Sequence, residues 1–182
     1  MPSGLKSTSS PITISQSVQQ GVANTFGVEA IDLQLNPLDN EVFVVTGVKI
    51  DFLVLPKPDV SLGTLNQQSP VFEVSVHKTR PAARGDIGGS SVIASSRLMS
   101  FAQLDPTNSI ITNAFVENNA MDVPPAAMDY LDIIATNNYF ISVYSEQSPT
   151  NKVAAAVRLY GFRARADSNT YAALVQSELL SA

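Results

Sequence analysis

The residues able to do chemistry in this chain are few, and the first of them is a single histidine, His77. Serine, histidine and aspartate together could form a nucleophile, a base and the group that orients the base. Serine and aspartate are available, but no G-x-S-x-G or comparable motif surrounds a nucleophile. His77 follows Val71, Glu73 and Ser75 at a period of two, so it falls on the outer face of a strand. It reads as a solvated histidine at the strand's end. One imidazole also cannot build the multi-histidine centre of a cupin-type metal site. Asp129 and Asp132 are three apart, which puts them on opposite faces of an extended segment, as polar partners of apolar neighbours. Glu117 and Asp122 could offer oxygen ligands to a loop-built calcium site, though EF-hand spacing is missing. Carboxylate pairs for sugar hydrolysis meet only in three dimensions, and no pair stands out. The chain has no tryptophan to serve as a sugar-stacking platform. No catalytic, cofactor-binding or metal-binding residue is assigned.

Two further groups bear on recognition. Arg84-Gly85-Asp86 spells an integrin-recognition tripeptide inside a stretch that also holds Gly88 and Gly89. It is the candidate adhesion loop, beside the plainer reading of a flexible connection. Arg158, Arg163 and Arg165 cluster near the end of the chain, where they could face a nucleic acid, an exposed strand surface or a subunit contact.

The elements that must position these residues are mostly strands. Residues 128–135, 139–145 and 153–162 each alternate with β-branched and aromatic side chains, and the links 136–138 and 147–151 are rich in Asn, Pro and Ser. Three strands with short reversals predict an antiparallel meander. Upstream, the same period marks strands at 28–35, 41–55, 71–78, 91–101 and 109–116. Gly47 shifts the alternation within 41–55 and suggests a bulge. A short extra strand is expected around Ile12, Ile14 and Val18. Residues 1–10, polar and Ser-rich, should form a flexible arm. One helix is expected at about 169–180. Asp167-Ser168-Asn169 supplies its N-cap, and Tyr171, Leu174, Val175 and Leu179 form its apolar stripe. Such a short helix must dock on something, and these four residues are the candidate subunit interface.

The expectation is an all-β protein: an eight-stranded antiparallel jelly-roll sandwich over residues 11–182, with the arm before it and the helix at its end. An immunoglobulin-like sandwich is the nearest competitor. At 182 residues, one domain with a substantial core is expected. The 45% apolar and 15% charged composition suits a globular fold, and a net charge of -5 disfavours nucleic acid as the main partner. There is no cysteine, and no apolar run is long enough for a signal peptide or a membrane span.

A weakly charged surface rich in Ser, Thr, Asn and Gln can pack against copies of itself with little desolvation cost. The strand series resembles the small single-jelly-roll capsid proteins of tailless icosahedral viruses. So does the C-terminal run Val157-Arg158-Leu159-Tyr160-Gly161-Phe162-Arg163-Ala164-Arg165 leading into Tyr171-Ala172-Ala173-Leu174. The resemblance implies a non-enzymatic virion subunit without cofactor, made in the host cytoplasm and placed in the capsid. Its implied partners are copies of itself and other virion proteins. The alternatives are a receptor-binding or adhesive sandwich, and a sugar-active or metal-dependent jelly-roll enzyme.

Overall fold

The computed structural model describes residues 4–53, 71–104, 110–117, 122–126, 128–146 and 152–180. In chain order these hold β1 (Leu5–Ser7), β2 (Ile12–Gln19), β3 (Phe26–Asp32), β4 (Glu41–Phe52), β5 (Val71–His77), β6 (Val92–Leu104), β7 (Ile110–Glu117), β8 (Asp132–Ile134), β9 (Asn138–Glu146), β10 (Ala154–Ala166) and α1 (Ser168–Leu180). The end of the expected strand 41–55 and the 147–151 link lie outside the described residues.

One sheet runs β2-β10-β4-β8, with β1 continuing the β2 edge along the last residues of β10. The second runs β3-β9-β5-β6-β7. Pairing is antiparallel and nested: β2 with β10, β3 with β9, β4 with β8, β5 with β6. This is the jelly-roll order. It differs from the expected meander, because β8, β9 and β10 do not pair with one another among the described residues. The chain changes sheet from β8 to β9 and again from β9 to β10, so these strands find their partners far away in sequence. Alternation fixes which face is apolar, and carries no information about which edge is matched.

The strand list shifts in the same way. β2, expected as an extra, belongs to the jelly roll, whereas β7 is an added edge strand. Residues 5–9 of the expected arm join the first sheet: β1 pairs with Ala164–Ala166, Thr8 N–H donates to the Arg163 carbonyl, and Ser9 Oγ accepts from Arg163 N–H.

The main core lies between the sheets. Phe43, Val45, Val48 and Ile50 from β4 and Val157 and Leu159 from β10 meet Phe72, Val74 and Val76 from β5 and Tyr139, Ile141 and Val143 from β9. The inferred bulge is present: β4 carries one extra residue where Tyr160 pairs with Gly47 and Gly161 with Val45. Gly161 fits there because a β-carbon would overlap the Val44 carbonyl and the Phe43 ring.

A second apolar cluster covers the outer face of the first sheet. Val42, Val44, Ile133, Ala164 and Ala166 pack with Tyr171, Leu174 and Val175 of α1. This accounts for the unbroken run Val42-Phe43-Val44-Val45: β4 is buried on both faces, by the opposite sheet and by the helix. Asp167 starts that helix, its Oδ1 accepting from Thr170 N–H at 2.8 Å.

Candidate functional site

The outer face of the second sheet carries the residues of interest, under the loop 78–91. Glu73, Ser75 and His77 project from β5, Ser142 and Tyr144 from β9, and Ser95 and Arg97 from β6, as the period of two requires.

His77 differs most from its sequence reading. It is only 1% exposed. Ser75 Oγ and Ser142 Oγ each lie 3.0 Å from its Nε2 and 2.8 Å from each other. Its Nδ1 is buried without a hydrogen-bond partner among the described residues. The solvated strand-end reading failed because the following loop folds back over the sheet. Gly85 sits so close to the imidazole that a β-carbon there would overlap the ring, and the Val92 side chain lies beside the same glycine. Burial holds the His77 pKa down at about 4.

Serine and imidazole at hydrogen-bond distance are the beginnings of a nucleophile and its base. Here no carboxylate orients the ring among the described residues, no reactant can reach it, and its pKa is far below that of a base working near neutrality. The triangle joins β5 to β9 and fills the space below the loop.

The Arg84-Gly85-Asp86 loop is held above it. The Arg84 guanidinium lies 3.7 Å from Glu73, 3.4 Å from Glu146 and 5.2 Å from the centre of the Tyr144 ring. Glu73 also pairs with Arg97. Asp86 Oδ1 accepts from Gly88 N–H at 2.9 Å, an Asx turn that shapes the tip, and Asp86 and Ile87 are exposed. Loop and sheet enclose a groove of about 470 Å³ lined by Glu73, Arg84, Asp86, Ser95, Arg97 and Met99.

A second polar centre joins α1 to the start of the same loop. Glu178 is 2% exposed, and its carboxylate accepts backbone N–H bonds from Ala135 at 2.6 Å and Thr136 at 3.1 Å. Desolvation raises its pKa, against the pull of those donors and of Lys78. Lys78 pairs with Asp132 at 3.1 Å. Sequence reasoning missed Glu178, though its position four after Leu174 and three after Val175 puts it on the apolar face.

The remaining candidates separate. Asp132 opens β8, while Asp129 precedes it and is exposed. Asp122 joins β4 through backbone bonds to Val48, and burial raises its carboxyl pKa; the Glu117 side chain lies outside the described residues. Arg163 pairs with Glu41 and donates to the Leu33 carbonyl, and Arg165 lies 3.8 Å from Asp39. Arg158 projects from the opposite face of β10 beside Lys49, so the three arginines do not make one patch. Among the described residues no cluster of three metal-ligating side chains occurs, and no helix is long and apolar enough to cross a membrane. Of the helix stripe, Tyr171, Leu174 and Val175 pack on the chain's own sheet, and Leu179 is 69% exposed.

No protein-family model matches the chain, and no curated protein sequence matches it. Among solved structures it is similar to the unassembled KI polyomavirus VP1 pentamer, at 11% identity and a TM-score of 0.40, over 81% of this chain and 76% of that one. It is also similar to trichodysplasia spinulosa-associated polyomavirus VP1, at 7% identity and a TM-score of 0.40, over 92% of this chain and 97% of that one.

Proposed function

We propose that the chain is a structural virion protein, a capsid subunit whose copies associate into an icosahedral shell, and not an enzyme. The jelly-roll strand order carries this reading. It gives two broad sheets in a chain with only 15% charged residues, so copies can meet at low desolvation cost. Its partners in this reading are copies of itself and other virion proteins, and its location is the virion.

The subunit contact belongs at the end of α1, where Leu179 and Leu180 are 69% and 80% exposed. Tyr171, Leu174 and Val175 pack the helix on its own sheet, and Glu178 ties its end to Ala135 and Thr136. Light scattering and electron microscopy of the purified protein, over a range of protein and salt concentrations and with neighbouring gene products added, test the reading. Rings or closed particles are expected; a monomer under every condition overturns it.

The exposed tip at Asp86 and Ile87 beside the groove favours a second reading, an adhesive surface on the same fold. Asp86→Glu abolishes cell adhesion if Arg84-Gly85-Asp86 is the recognised motif. Unchanged adhesion removes the motif from consideration.

A further inference from the structure

The chain's only histidine lies directly beneath Gly85 of the Arg84-Gly85-Asp86 loop. We propose that the loop 79–91 is an acid-released clasp: protonation of His77 unseats it from the outer face of the second sheet and opens the groove it walls. This inference is independent of the assembly reading.

The geometry carries it. The imidazole is enclosed by β5, β9, β6 and the loop, and its polar neighbours are two neutral hydroxyls, both at Nε2. Nδ1 has no acceptor among the described residues, so a second ring proton would be buried without a partner. The charged groups on the surrounding elements are engaged elsewhere. On β5 and β6, Glu73 and Arg97 pair with each other, and Glu73 also meets Arg84. On β9, Glu146 faces Arg84, whose cation lies over Tyr144. On the loop, Lys78 is held by Asp132, Asp86 by Gly88 N–H, and Arg80 is exposed. Phe140 and Val92 complete the surroundings as the register partners of His77. No ion pair or hydrogen bond joins a carboxylate to the ring among the described residues, so the cation has no compensation while the loop is closed.

Other contacts also hold the loop, and none of them depends on the charge of His77. The Arg84 guanidinium is 52% exposed, and its pair with the 48% exposed Glu146 contributes little, while Glu73 is 12% exposed. The Lys78 N–H to Ser91 carbonyl bond closes the base of the loop, while the Gly88, Gly89 and Val92 amides bond within it. Seating of Gly85 over the ring is a tie between loop tip and sheet that depends on the charge of the imidazole. With the closed ring titrating at about 4 and an exposed one near 6.5, the open state gains about thirty-fold over the closed one between pH 7.5 and pH 5.

Hydrogen exchange of the full chain, corrected for the intrinsic pH dependence of exchange, reads this directly. The opening equilibrium of the Lys78 amide, whose bond to the Ser91 carbonyl closes the base of the loop, is expected to rise about thirty-fold from pH 7.5 to pH 5, while amides in the centre of β9 keep their protection. His77→Phe keeps a neutral ring of similar size and is expected to flatten the response. Unchanged loop protection in the parent, an equal rise in His77→Phe, or simultaneous loss of protection across β9 each overturns the proposal. If His77→Phe does not fold, the parent still decides the matter. Its one histidine gives one Cε1–H resonance, which must show no titration near 6.5 while the loop is closed. Ordinary titration near 6.5 with unaltered loop amides also overturns it.

Discussion

At the scale of single residues, the informative groups are polar ones that ended up buried. His77 favours the neutral ring in the folded state, because its pKa is depressed from about 6.5 to about 4. Its stability contribution is therefore present above 6.5 and is lost as pH falls through that window toward 4, by roughly 3 kcal/mol in total. Glu178 works in the opposite sense. Its raised pKa gives a contribution present in acid and lost as pH rises through the folded value. Urea denaturation at a series of pH values should show stability falling from pH 7 to pH 5 in the parent and a flatter profile in His77→Phe. Glu178→Ala strands the Ala135 and Thr136 amides, and is expected to cost about 1–3 kcal/mol at neutral pH in the same assay.

Among the elements, α1 and the β4–β10 pair make the clearest demands. The helix covers Val42, Val44, Ile133 and Ala164, so removing residues 171–182 exposes an apolar face of the first sheet. That truncation is expected to lower the subunit's own melting temperature, because the helix packs on its own domain. Leu174→Asp should cost about 2–4 kcal/mol, by placing an unpaired charge in that layer. Leu179→Asp lies in solvent, so it should change stability by no more than about 0.5 kcal/mol while reducing particle formation. Thermal unfolding run beside an assembly assay separates the two effects. On the other layer, Gly161→Ala drives a methyl group into the Phe43 ring and the Val44 carbonyl, and about 1–3 kcal/mol should be lost in chemical denaturation.

For the whole molecule, the nested pairing of distant strands is the governing fact. β2 meets β10 and β3 meets β9 across more than a hundred residues, so long loops must close before the sheets gain their contacts. Folding should be slow for a chain of this length, in the millisecond-to-second range typical of β-sandwiches, which stopped-flow refolding would measure. The same arrangement brings the 78–91 loop, the end of α1 and the β8–β9 turn to one end of the sandwich, through Lys78, Asp132 and Glu178. A change at any of these residues should therefore be felt by the others, and double-mutant cycles on Lys78 and Glu178 would measure the coupling.

Local chemistry wrote most of the strands, the bulge beside Gly47, the helix cap at Asp167 and the Tyr171, Leu174 and Val175 part of the apolar stripe of α1 into the sequence, but not β1. Alternation, glycine geometry and capping act within a few residues, so a linear reading finds them. Partner choice, and which outer faces are covered, were decided only in three dimensions. Alternation gave no sign through residues 41–55 that Val42 and Val44 would lie under the helix. It placed His77 correctly on the outer face of β5, and only the returning loop turned that face into an interior. A period of two assigns a residue to a face; whether water reaches that face depends on chain segments distant in sequence.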